Sequence, residues 1–187
     1  MQRGRKSIKN GYSLSLKAFC IKFAPMKILM VCLGNICRSP LAEGILEHKA
    51  KSSGLSWMVD SAGTNNGYHV GEAPHRLSQK IASLHQLDIS TQCARAFVPE
   101  DFDRFDRIYA MSADVLADIK RIARKKFDTA KTDLILNELY PGENRDVPDP
   151  WFGDEPGYHV VYEMIDKACD KIVQKYRRTA AAKPQRT

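Results

Sequence analysis

From Lys27 onward, short apolar runs alternate with stretches of helical periodicity. KILMVC (27–32) is continuously apolar, the pattern of a strand covered on both faces. In SPLAEGILEHKA, Leu41, Ala42, Ile45 and Leu46 recur at helical spacing, Ser39 stands where an N-cap is wanted and Pro40 at the first helical position. WMVDSAG (57–63) reads as a second strand, and PHRLSQKIASLHQL as a helix with Leu77, Ile81 and Leu84 inward, closing near Asp88. FDRIYAM (105–111) and KTDLILN (131–137) supply strands three and four, separated by a helix that turns Val115, Leu116, Ile119 and Ile122 to one side. After the turn-rich YPGENRDVPDPWFGDEPG comes the most regular helix, with Val160, Val161, Met164, Ile165, Ala168, Cys169, Ile172 and Val173 on one face. Strand–helix alternation predicts an α/β fold: a three-layer, doubly wound, four-stranded parallel sheet with helices on both faces.

Composition narrows the picture. With 187 residues, 43% of them hydrophobic, the chain suits one domain with a full core. No apolar run approaches the ~20 residues of a membrane span, so no membrane partner is expected. The net charge of +7 suggests nucleic acid until it is located: residues 1–25 and 171–187 each carry six Lys/Arg and no acid. Residues 26–170 hold 17 basic side chains against all 22 acids, so the core is acidic and no nucleic-acid partner is expected. Five irregularly spaced cysteines and no visible secretory leader point to a reduced, cytoplasmic setting. Residues 1–25 are expected to be a basic extension, either disordered or absent from the native protein, with translation from Met26 favoured. The domain is expected over 26–178, followed by a basic tail over 179–187.

The chemistry concentrates where the first strand ends. Open α/β sheets bind ligands at the carboxyl ends of their strands, and Cys32 closes the first one. Leu33, Gly34, Asn35, Ile36, Cys37 and Arg38 then turn the chain into the helix, presenting backbone N–H groups beside a helix amino terminus, a ready anion site. Helix terminus, loop amides and Arg38 all favour thiolate over thiol at Cys32. The same amides and the planar guanidinium match the oxygens of a phosphoryl group. Asn35 suits a left-handed conformation that pins such a loop. A lone C-x5-R pattern is weak, since a cysteine at a strand end is commonly a small core residue. Zinc would want paired cysteines, whereas Cys93 and Cys169 stand apart, so no metal is expected.

VCLGNICRSPLAE resembles the active-site loop of the low-molecular-weight protein tyrosine phosphatases, V-C-x-G-N-x-C-R-S-P, over more than ten contiguous residues. The resemblance covers residues 27 to about 176. It implies a metal- and cofactor-free phosphatase acting on phosphotyrosine proteins and aryl phosphates through a phosphocysteine intermediate, with phosphate or another oxyanion held in the loop. Cys32 would be the nucleophile, Arg38 and the loop amides the oxyanion clamp, and Asp149 of the Asp149–Pro150 turn the general acid. Ser39 would support the Cys32 sulfur, and Ser61 of VDSAG would join the loop's network. Many members place a histidine in that network where this chain aligns Gln92. Family members often carry a tyrosine pair after Asp-Pro; here Trp151 and Phe152 stand there, keeping an aromatic wall without phosphorylatable hydroxyls. Leu33, Ile36 and Tyr68 are further wall candidates, and Cys37 a redox partner able to trap an oxidised Cys32 as a disulfide. The nearest rival is a thiol-dependent arsenate reductase of the same fold, which relays oxidation through further, closely placed cysteines.

Overall fold

The computed structural model describes residues 25–65 and 67–181, the last four as backbone alone. The expectations for residues 1–24, and for the tail beyond 181, lie outside the described residues. Strands β1 (Lys27–Cys32), β2 (Met58–Gly63), β3 (Arg107–Ala110) and β4 (Thr132–Leu134) form one parallel sheet in the order β2-β1-β3-β4. Helices α1 (Arg38–Ser52), α2 (Arg76–Leu84) and α5 (Glu155–Ala181) pack on one face, and α3 (Asp101–Arg104) and α4 (Ala113–Ala123) on the other.

The unbroken apolar run of β1 follows from this layering. Ile28, Met30 and Cys32 enter the cluster with α1, α2 and α5, whereas Leu29 and Val31 enter the one with α3 and α4. On α5, Val161, Ile165, Ala168, Cys169 and Ile172 are buried as their spacing predicted, and Tyr158 extends that stripe by one turn. Truncating a side chain such as Ile165 to Ala would cost about 2–5 kcal/mol. Val160 departs from the expectation and is 53% exposed, because it lies beside the buried stripe rather than within it.

Three further departures have local causes. Helix α1 starts at Arg38 with no side-chain cap, one residue before the predicted Ser39 cap. The Ser39 hydroxyl is instead engaged by Cys32 and Asn35, so the loop rather than a serine cap sets the helix start. Helix α2 ends at Leu84, not near Asp88: Gln86 adopts φ 62° and the Leu87 N–H closes back on the Ala82 carbonyl at 2.9 Å, which leaves Leu84 exposed. Strand β4 has three residues, because Ile135–Glu138 winds into a 3-10 turn beyond the end of β3. The short α3 carries no apolar periodicity and was not anticipated.

β1 is central, with its sequence successor β2 on one side and β3 on the other. The connections therefore diverge at the carboxyl end of β1, leaving the crevice in which such sheets bind ligands.

Candidate active site

The loop after Cys32 occupies that crevice, and Gly63 lets it sit there. A Cβ at Gly63 would lie 2.8 Å from the Leu33 carbonyl oxygen and 3.1 Å from the Asn35 nitrogen. Thr64 and Asn65 then donate their N–H groups to the carbonyls of Cys32 and Leu33 at 3.0 and 2.9 Å. These two backbone bonds tie the loop to the residues that follow β2.

Asn35, at φ 58°, is the loop's buried pin. Its amide donates to Ser39 Oγ (3.0 Å) and Ser61 Oγ (2.8 Å), and its Oδ1 accepts the Arg95 N–H (2.8 Å). Because Asn35 donates to Ser39 Oγ, the hydroxyl proton is free for Cys32 Sγ, 3.0 Å away, and the Asn35 N–H points at the same sulfur from 3.2 Å. The sulfur therefore faces two hydrogen-bond donors. Arg95 is held in turn by Asp60 (Nε 3.1 Å, Nη2 2.8 Å) and by the fully buried Asp101 (Nη1 3.1 Å).

Arg38 is 5% exposed; its Nη1 donates to the Val147 carbonyl at 3.1 Å and its Nη2 to Asp149 at 2.5 Å. The Val147 N–H donates to the Met111 carbonyl at 2.8 Å, which moors the segment carrying Asp149 to the end of β3. Asp149 also accepts the Trp151 N–H at 3.2 Å. Residues distant in sequence thus meet over one cleft of about 260 Å³. It is lined by Cys32, Leu33, Gly34, Ile36, Cys37, Arg38, Asp149, Trp151, Phe152 and Tyr68, all anticipated from the sequence, together with Asn65 and His69. Ser39 and Ser61 lie behind the loop, on the Asn35 amide.

Sequence reasoning missed His69, His75 and Tyr158. The Trp151 ring stands 5.4 Å from each of the two histidine rings, and His69 Nδ1 lies 2.9 Å from Glu72. Tyr158 could have been found by extending the α5 stripe backwards; nothing in the local sequence marks the histidines. Behind the loop, the Leu77 N–H donates to His75 Nδ1 at 3.4 Å, so this nitrogen is an acceptor, and the Tyr158 hydroxyl, at 2.8 Å, donates to it as well. Tyr158 Oη is then left to accept from the Cys37 thiol, 3.6 Å away. Burial, with the negative character of Cys32 and Asp149 nearby, pushes the Cys37 thiol up to about 11. Cys37 thus stays a buried thiol facing α5.

No three His, Cys, Asp or Glu side chains among the described residues gather as a metal ion would require. Cys93 is exposed and outside the cleft lining, and Cys169 is buried on α5.

A family model for the low molecular weight phosphotyrosine protein phosphatases matches residues 27–182. The chain belongs to this family. It is 34% identical to the human low molecular weight phosphotyrosine protein phosphatase, over 81% of this chain and 96% of that one. It is 32% identical to the low molecular weight protein-tyrosine-phosphatase YfkJ of Bacillus subtilis, over 82% and 97%. The crystal structure of YfkJ superimposes with a TM-score of 0.77, at 31% identity, covering 84% of this chain and 98% of that one. Vibrio vulnificus Wzb in complex with benzylphosphonate (TM-score 0.73, 25% identity, 81% and 99% covered) and a Drosophila arginine phosphatase (0.75, 33%, 81% and 98%) share the fold. The chain is a cysteine-dependent protein-tyrosine phosphatase of this family, and the arsenate reductase reading is not favoured.

Proposed function

We propose that Cys32, as thiolate, attacks the phosphorus of an aryl phosphate monoester in line. The P–O bond to the aryl group breaks as Asp149 gives its proton to the departing phenolate oxygen. The Asp149 carboxylate then takes a proton from a water that attacks the phosphocysteine, releasing inorganic phosphate and the Cys32 thiolate. Arg38 and the amides from Leu33 to Arg38 hold the equatorial oxygens in both halves, and the Ser39 hydroxyl stabilises the leaving sulfur. No metal or cofactor enters the cycle. The observation that carries the reading is the Cys32 sulfur accepting from both Asn35 N–H and Ser39 O–H at the head of α1.

The substrates are proposed to be phosphotyrosine proteins. What supports this is the aromatic and aliphatic wall of Leu33, Ile36, Tyr68, Trp151 and Phe152, of which Phe152 is 97% exposed at the rim. A phosphoarginine substrate, as the name of the Drosophila relative suggests for that protein, would bring a guanidinium that needs an anionic partner. The carboxylate lining the cleft is that of Asp149, which Arg38 already holds. A cytoplasmic, reducing location suits the free thiols; among the described residues no helix is long and apolar enough to cross a membrane.

Cys32→Ser should lower metal-free hydrolysis of 4-nitrophenyl phosphate by ~10³-fold or more. Asp149→Asn should slow phenyl phosphate by ~10²-fold or more and 4-nitrophenyl phosphate far less, because a good leaving group needs little protonation. Residual activity in the serine variant, or equal slowing of both esters by the asparagine variant, would remove the role assigned to each residue. A phosphoarginine peptide turned over faster than a phosphotyrosine peptide would overturn the substrate class.

A further inference from the structure

The turn that follows Asp149–Pro150 is exposed over Trp151, Phe152, Gly153 and Asp154, and it closes on itself through the Gly153 N–H to the Pro150 carbonyl at 2.9 Å. Within it the Trp151 N–H donates to Asp149 Oδ1 at 3.2 Å, while Arg38 holds Oδ2. The direction of that carboxyl therefore depends on where Trp151 sits. The Trp151 ring is flanked by two imidazoles, each with its centroid 5.4 Å away, at interplanar angles of 58° to His69 and 60° to His75. Both distances fall within the roughly 4.5–7 Å of attractive tilted and edge-to-face ring pairs.

The two imidazoles are themselves fixed from different directions. His69 Nδ1 lies 2.9 Å from Glu72, and its ring packs on the phosphate loop, where a Cβ added at Gly34 would stand 3.0 Å from His69 Cδ2. His75 is outside the cleft lining and caps α2: its Nδ1 accepts from the Leu77 N–H at 3.4 Å and the Tyr158 hydroxyl at 2.8 Å, and the Tyr158 ring stacks on it. An asparagine would satisfy the cap; the imidazole adds a ring that reaches Trp151. Arg76 beside it and Tyr158 from α5 are the titratable groups facing His75, with Cys37 beyond the Tyr158 hydroxyl. Burial first, then Arg76, hold the imidazole below the usual histidine value, which keeps Nδ1 an acceptor at neutral pH.

We propose that His75 is a positioning residue for the proton-transfer step: by bracing the Trp151 ring it holds the Trp151 N–H, and with it the Asp149 carboxyl, toward the departing aryl oxygen. Helix α2, which also meets the start of α5 through Lys80 and Glu155 at 2.6 Å, thereby steadies an exposed turn that carries the acid's orienting donor. This rests on the phosphatase reading of the same site. It adds a residue that touches neither substrate nor reacting atoms, and whose effect is felt in proportion to how much the leaving group needs the proton.

The test separates the ring from the cap. His75→Asn keeps a capping acceptor and loses the ring; His75→Phe keeps a ring and loses the acceptor. Because kcat/KM reports the step in which the aryl group leaves, His75→Asn should lower it ~5-fold or more for phenyl phosphate and ~2-fold or less for 4-nitrophenyl phosphate. His75→Phe should keep both esters within ~2-fold of wild type while its melting temperature falls, since the Leu77 N–H and the Tyr158 hydroxyl lose their acceptor. Equal slowing of the two esters by His75→Asn, no slowing at all, or the same selectivity loss in His75→Phe overturns the proposal. Should the phenylalanine protein not fold, the asparagine variant and fluorescence decide. In a Trp57→Phe background Trp151 is the chain's remaining tryptophan. Acrylamide quenching of its emission should rise ~1.5-fold or more when His75→Asn is added, because the ring is released. Unchanged quenching refutes the brace. Absence of wild-type hydrolysis would sink the phosphatase reading instead, and the quenching would still test the brace.

Discussion

Asn35 combines a left-handed backbone with three side-chain hydrogen bonds in a buried position, and the loop's shape hangs on it. Asn35→Ala strands the Arg95 N–H and frees Ser39 and Ser61 to rotate. The expected cost is about 2–4 kcal/mol in thermal unfolding, with kcat lowered by ~10-fold or more. The neighbouring Cys37 sets a different expectation. We propose that peroxide oxidises the Cys32 thiolate to a sulfenic acid and that Cys37 sulfur then displaces its oxygen as water, forming a disulfide that thiol reverses. Because burial raises Cys37 to about 11 and Tyr158 holds its thiol, resolution should be slow at neutral pH and quicken up to tenfold per pH unit below that value. Dimedone trapping followed by mass spectrometry measures it; a pH-independent rate, or no Cys32–Cys37 link, refutes it.

At the scale of elements, α2 and α5 meet through His75 and Tyr158, which stack with ring centroids 5.5 Å apart while His75 caps α2. Burial first, then Arg76, holds the His75 imidazole below the usual histidine value. A depressed histidine contributes stability above the ordinary histidine range, and that stability is lost as pH falls through the lower folded value. Protonation would put a second donor against the Leu77 N–H and the Tyr158 hydroxyl. Melting temperature should therefore drop on acidification below about pH 6.5, and drop less in His75→Asn, which keeps a capping acceptor that does not titrate. Equal acid sensitivity in the two proteins would show that the junction is not where the protons bind.

For the whole molecule, the switch point at β1 draws residues from three separate segments into one cleft, while helices cover both faces of the sheet. We propose that residues 26–178 form the phosphatase domain and that the basic ends stand outside it. A protein beginning at Met26 should keep kcat/KM for 4-nitrophenyl phosphate within ~2-fold of the full chain, since termini away from a core tolerate change. A larger loss would assign the extension a part in catalysis or folding.

The sequence by itself determined the local, covalently contiguous part of this protein. The apolar run of β1, the α5 stripe, and a loop whose Cys32, Asn35, Arg38 and Ser39 follow one another were legible because strand burial, helical periodicity and anion-binding turns depend on neighbours in the chain. Asp149 was legible as a turn whose meaning came from a second motif. The tertiary structure decided what depends on contacts across the chain. It took Ser39 from capping to the sulfur, ended β4 where its partner strand ended, and turned the Cys37 thiol onto Tyr158. It also set His69 and His75 about Trp151 and brought Ser61 and Arg95 to the Asn35 amide. Spacing along a chain encodes which face a side chain occupies; only packing brings that face to its partners and removes the water that would otherwise serve them.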